Sequence, residues 1–361
     1  MTGDRSPLAR AGAFCDRFAL RRPILLAPMA GACPPSLSIA VARAGGMGAA
    51  GVLLLAPDAI TAWMRAFRAG SDGPAQLNLW VPDPPPPRDP DHERRVREFL
   101  GGWGPPVAAD AGDASPPDFA AQCQAVLDAA PAAVSSIMGV FPAPFVAQLK
   151  ARGIAWFAVA TTVGEAVVAR DAGADVIVAQ GSEAGGHRGA FDPALAERRL
   201  VGTFALVPAV ADAVDVPVVA TGGIADGRGV AAALALGASA VQVGSAFLRC
   251  PEAQLPPAWA RALARARPED TLLTRAFSGR PGRSLATRYA TAAAAPGAPP
   301  PAPYPVQRGL TAAMRAQAQK DDDLDRMQAW AGQSAALAPA LPAADLVDRL
   351  WHDARDLLGS R

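Results

Sequence analysis

The chain has 361 residues, of which 51% are hydrophobic and 19% charged, and its formal net charge is +1. That length suits one large domain with an appendage or two ordinary domains. The near-neutral charge offers no electrostatic footprint for nucleic acid or an anionic membrane. Cys15, Cys33, Cys123 and Cys250 are scattered, with no C-x-x-C or Cys/His cluster, so neither a metal site nor a disulfide framework is expected. The N-terminal "MTGDRSPLAR" lacks the apolar core of a signal peptide, and no run is long enough to span a membrane. The expected setting is reducing and cytoplasmic.

Eight short runs are apolar along their whole length, the mark of strands covered on both faces. In chain order they are "PILLAPM" from Pro23, "MGAAGVL" from Met47, "AQLNLWV" from Ala75 and "AAVSSIM" from Ala132; then "IAWFAVA" from Ile154, "DVIVAQ" from Asp175, "VPVVATG" from Val216 and "AVQVGSAF" from Ala240. Helix-like segments separate most of them, as at 34–45, 142–153, 162–173 and 227–238, and several end on a glycine that lets the chain turn back into a sheet. Eight alternating units predict an α/β fold, a closed (β/α)8 barrel over 20–250, rather than an open doubly wound sheet. No G-x-G-x-x-G follows the first strand.

Two departures from a minimal barrel stand out. After the third strand, "VPDPPPPRDPDHERR" (81–95) opens an insertion of about 82–131 and is expected to be neither regular helix nor sheet. After the eighth, residues 251–361 contain a stiff connector, "PGAPPPAPYP" (296–305), and predicted helices at 310–331 and 343–358. This C-terminal helical extension is expected to pack on the barrel.

The working face of such a barrel is the carboxyl end of its strands. Met29, Asn78, Thr161, the stretch 180–189, Gly222–Gly223 and Gly244–Ser245 belong there. The glycines and small residues closing the seventh and eighth strands suit a phosphate. No lysine lies in a predicted strand, which removes Schiff-base and pyridoxal phosphate chemistry, and no P-loop is present. The strand ends carry amides where a divalent metal would want carboxylates. Asn78 and Gln180 suit a polar heterocycle with a phosphate tail, a description that flavin mononucleotide (FMN) meets. "QGSEAGGHRG" (180–189) then places His187, a candidate acid/base or polarising group, over that ligand. His92 and His352 read as solvated or structural, Glu183 as a loop anchor, Cys33 as packing, and "KDDDLDR" (320–326) as an acidic turn rather than a metal site.

"LAPMAGACPPSLSIAVARAGGMGAAG" (26–51), "LNLWVP" (77–82), "AQGSEAGGHRG" (179–189), "VVATGGIADGRGVAAALALGASAVQVGSAFL" (218–248), "AFSGRPGR" (276–283) and "WAGQ" (330–333) resemble the nitronate monooxygenases, formerly 2-nitropropane dioxygenases. The resemblance implies an FMN-dependent TIM barrel that oxidises alkyl nitronates, such as propionate 3-nitronate, with O₂ to a carbonyl compound and nitrite. Carried over by position, Asn78, Gln180, Gly185, Gly222, Gln242, Val243, Gly244 and Ser245 would contact FMN. Met29 would lie beside its ring, and His187 would face the substrate. His187 would hold the nitro oxygens by hydrogen bond or as imidazolium, or act as base toward neutral nitroalkanes. This sequence departs from the family pattern at "ACPP" (32–35) and "DPPPPRDP" (83–90). Two alternatives remain: an FMN-dependent, NADH-consuming enoyl-acyl-carrier-protein reductase, and a flavin-binding protein without turnover. The alanine-rich helical exterior permits a homo-oligomer.

Overall fold

The computed structural model describes residues 6–359; residues 1–5, part of the N-terminal stretch read for a leader, and 360–361, the end of the expected extension, lie outside it. The strands are β1 (Ile24–Leu26), β2 (Gly48–Gly51), β3 (Ala75–Trp80), β4 (Ala133–Ile137), β5 (Ala155–Ala160), β6 (Val176–Gln180), β7 (Gly186–His187), β8 (Val218–Thr221), β9 (Ala240–Val243), β10 (Thr271–Thr274) and β11 (Gly282–Leu285). All but β7, β10 and β11 form one parallel sheet in the order β1-β9-β8-β6-β5-β4-β3-β2. A parallel bridge from Leu25 to Met47 joins its two edges and closes the ring. The fold is the TIM barrel, and each of its eight strands falls inside a predicted apolar run.

Side chains alternate across this sheet, as strand geometry requires. Leu26, Leu77, Ile177, Val218 and Val243 point outward into the core shared with the surrounding helices. Leu25, Met47, Phe157, Val176, Val219 and Ala240 point inward and fill the amino end of the barrel. That end is plugged by an unanticipated helix, Pro7–Phe18, capped by the Ser6 hydroxyl, which accepts from Ala9 N. Its Phe14 and Phe18 meet Phe157, with ring centroids 6.4 and 5.1 Å away.

The two departures differ in part from expectation. Coil runs from Val81 to Asp89, but a helix begins at Pro90 and continues to Leu100, with the Asp89 carboxylate accepting from His92 N. Proline is compatible with a first helical turn, where its missing N–H has no partner to lose. The stretch expected as helix over 310–331 ends at Lys320, where the acidic turn interrupts it, and is preceded by a short helix at Val306–Leu310. The tail is also not helical throughout. It supplies β10 and β11, which pair antiparallel, and β11 pairs in turn with β7.

The helix Ala343–Leu357 takes the position of an eighth barrel helix. Its Leu346, Val347, Leu350 and Ala354 join the core that holds Leu37, Val41, Val230 and Leu234. Arg22, just before β1, pairs with its Asp348 at 2.8 Å. We infer that the barrel unit runs to about 357, with the segment after β9 inserted before its last helix. The insertion and the tail share a second core of Val96, Leu100, Phe277, Tyr289, Val306, Leu310 and Met314. Together they stand over the carboxyl end of the barrel.

Candidate active site

A cavity of about 570 Å³ opens at the carboxyl ends of the strands. Met29, Asn78, Gln180, Gly185, His187, Gly222, Gln242, Gly244 and Ser245 all line it. Val243, also expected at the cofactor, does not. Strand alternation turns it outward into the helix-facing core, and its carbonyl accepts from Ala27 N at 2.8 Å. Thr161 is likewise turned away, donating its N–H and hydroxyl to Glu165.

The amides at the strand tips are held in fixed orientations. Asn78 Nδ2 donates to Ser135 O and Oγ, at 3.2 and 2.9 Å, which leaves Oδ1 as its unengaged end. Gln242 Oε1 accepts from Gln76 Nε2 at 3.0 Å, leaving the Gln242 NH₂ as a donor. Gln180 behaves differently. Its Nε2 donates to His187 O at 3.1 Å and its Oε1 accepts from Gly189 N at 2.8 Å, so it braces the loop carrying the histidine.

That loop is anchored from several sides. The buried Arg188 guanidinium donates to the carbonyls of Gln180, Thr161 and Arg199. Arg283 donates to Ser182 O, and the β7–β11 register sets Gly282 opposite His187. Glu183 accepts from Thr203 N and Oγ1 at the start of the helix Thr203–Ala213, the anchoring role read from the sequence. The "WAGQ" segment packs directly behind: Gly332 N donates to Ser245 Oγ at 2.9 Å. A Cβ on Gly185 would lie 2.5 Å from Gly332 N, so only glycine permits this approach. Gly222 has φ +107°, a conformation open to glycine at little cost.

His187 is half-buried between two indoles, meeting Trp80 and Trp330 edge-on at centroid distances of 4.7 and 4.8 Å. Its Nε2 lies 2.7 Å from Ser278 Oγ. The serine oxygen has a second acceptor, Arg280 O, only at 3.2 Å, and itself accepts from Arg280 N. The Ser278 contact holds the ring through Nε2 and leaves Nδ1 without a hydrogen-bond partner among the described residues. Burial, reinforced by the charges of Arg308, Arg280 and Arg315, lowers the His187 pKa to about 3. This shift favours the neutral ring at physiological pH, and with it the hydrogen-bonding role over the imidazolium one.

Several site groups were not anticipated. Trp80, Ser278 and Trp330 lie in quoted motifs but were given no role. Arg308, Arg315 and Trp259 also line the cavity, and the Trp259 indole N–H is buried without a partner. Among the described residues no aspartate or glutamate lines the cavity. Elsewhere, Cys33 is buried, with its pKa pushed up to about 12, and its thiol contacts Ala27 O and Met29 N, the packing role expected. His92 does not line this cavity, and His352 lies exposed beside Asp356. Asp321, Asp323 and Asp325 pair with Arg326 or Arg288, and no metal-binding cluster occurs among the described residues. No described helix is long and apolar enough to cross a membrane.

The chain is 41% identical over 350 residues to the nitronate monooxygenase of Pseudomonas aeruginosa, covering 94% of this chain and 99% of that protein. Among solved structures it resembles a nitroalkane oxidase from Streptomyces ansochromogenes, with TM-score 0.85, 36% identity, and 95% and 98% of the two chains covered. It also resembles FabK from Thermotoga maritima, with TM-score 0.74, 28% identity and 96% of each chain covered. The nitronate monooxygenase family profile matches residues 14–353, essentially the barrel with its inserted roof. The protein belongs to that family, and it is an oxidoreductase that acts on nitronates.

Proposed function

We propose that the cavity binds FMN and that the protein oxidises alkyl nitronates, such as propionate 3-nitronate, with O₂ to a carbonyl compound and nitrite. One observation carries this reading: the cavity is rich in unmet donors, namely Arg308, the Trp259 N–H and the Gln242 NH₂, and is lined by no acid among the described residues. Such a lining complements ligands that are anionic and rich in acceptors.

The residues present fit FMN. Asn78 Oδ1 and the Gln242 NH₂ offer one acceptor and one donor to the edge of a polar heterocycle. Met29 would flank the ring, while Gly222, Gly223, Gly244 and Ser245 would receive the phosphate at the ends of β8 and β9. When bound, FMN supplies the electron-accepting group that these side chains lack.

The remaining work falls to the chain itself. Trp80 and Trp330 confine the space around His187, and a ring hydrogen on Nδ1, the nitrogen without a partner among the described residues, would donate to a nitro oxygen of the substrate. An imidazole whose pKa is about 3 is a poor base toward a C–H bond. We therefore assign it a positioning hydrogen bond and assign the substrate as the preformed nitronate.

The test is nitrite release from propionate 3-nitronate under air, compared with NADH consumption in the presence of a crotonyl thioester, on FMN-loaded protein. Nitrite formation with little NADH turnover is expected. Thioester-stimulated NADH oxidation without nitrite would establish the reductase, and protein that takes up no FMN would defeat both enzymatic readings.

A further inference from the structure

A neutral imidazole leaves the negative charge of a nitronate without a counter-charge at His187, so another group must provide it. The cavity lining offers two cations, Arg308 and Arg315. Arg315 is spoken for: it donates to Thr311 Oγ1, Gln328 Oε1 and Arg308 O. Arg280, also near His187, forms a buried ion pair with Asp83. Arg308 is half-buried, yet its guanidinium has no hydrogen-bond or ion-pair partner among the described residues. A half-buried unpaired charge is costly unless a ligand meets it.

Arg308 lies in the helix Val306–Leu310, lines the same cavity as His187 and is close enough for its charge to act on that ring; the preceding Tyr304 has its ring 5.3 Å from that of Trp80, which is 4.7 Å from His187. The guanidinium thus belongs to the wall that holds the histidine. The glycines assigned to the phosphate lie instead at the tips of β8 and β9.

We infer that Arg308 supplies the positive charge that recognises the nitronate anion, and so selects nitronates over neutral nitroalkanes of the same carbon skeleton. This rests on the nitronate reading of the cavity and adds the residue that enforces it.

The experiment uses full-length, FMN-loaded protein carrying Arg308→Gln or Arg308→Lys. Steady-state kinetics with propyl nitronate are paired with calorimetric titration of nitrate, a planar anion that mimics the nitronate group and is not turned over. Losing a charge-assisted contact should raise KM and weaken nitrate binding, each by about 10- to 100-fold, with kcat within threefold and FMN retention unchanged. Arg308→Lys should recover most of both losses, which excludes a merely structural role. Unchanged KM and nitrate affinity in a folded, flavin-loaded Arg308→Gln protein would overturn the inference. So would loss of FMN with nitrate binding intact, which would give the cation to the flavin phosphate. Nitrate binding that depends on Arg308 in wild-type protein releasing no nitrite would keep the anion site and refute the nitronate reading.

Discussion

The two ends of the barrel are built from the same strands and solve opposite problems. At the amino end Phe157, Val176 and Val219 face inward and meet Phe14 and Phe18. At the carboxyl end of the same sheet, Asn78, Gln180 and Gln242 face inward and surround a cavity. One end is held by dispersion and burial, the other by hydrogen bonds that fix the orientation of each amide. Stability and function are thereby segregated along the barrel axis, and substitutions at the two ends should separate them.

The largest effect on stability is expected from Phe157→Ala, which empties the plug. It should cost about 3–5 kcal/mol in guanidinium unfolding, while the folded protein still binds one FMN per chain. Loss of flavin in step with stability would show that the ends are coupled. Next comes Arg188→Met, which strips donors from the carbonyls of Gln180, Thr161 and Arg199. A loss of about 2–3 kcal/mol is expected, with faster hydrogen exchange across 181–190; unchanged exchange would mean that the β7–β11 pairing alone holds the loop.

Gly222→Ala forces a side chain into φ +107°. It should cost about 1–2 kcal/mol and lower FMN affinity more than Phe157→Ala does; intact affinity would remove Gly222 from the cradle. Ser278→Ala removes the Nε2 partner of His187. We expect a stability change of about 1 kcal/mol or less and a several-fold fall in kcat/KM, because the ring is no longer held through Nε2. An unchanged kcat/KM would show that the serine does not orient the ring.

A separate effect is one of pH. The pKa of His187 falls from 6.5 to about 3 on folding, so between these values the unfolded chain binds the extra proton. The stability contributed by keeping this ring neutral is present above pH 6.5 and is lost as the pH falls toward 3. Guanidinium midpoints at pH 7 and pH 5 should therefore drop further for wild type than for His187→Gln; equal drops would contradict a neutral ring.

The comparison also explains what the sequence disclosed. Strands buried on both faces are apolar throughout, so all eight barrel strands were legible, and with them the position of the glycine-rich loop. The inward or outward sense of single residues was not, because a continuous apolar run carries no alternation; Val243 was misplaced for that reason. The roof was less legible still. β7 spans only Gly186–His187, too short for any periodicity, and its partner β11 is nearly a hundred residues away. Arg308 falls between the segments read as a connector (296–305) and a helix (310–331), and Ser278 sits in a motif given no chemical role. Their proximity to His187 is a tertiary fact with no local signature.

The most direct test of the central claim, that the histidine over this cavity positions the substrate, is turnover of propionate 3-nitronate by His187→Asn protein with FMN bound. The account expects kcat/KM to fall by about 100-fold at one flavin per chain. Full turnover with flavin in place would contradict it.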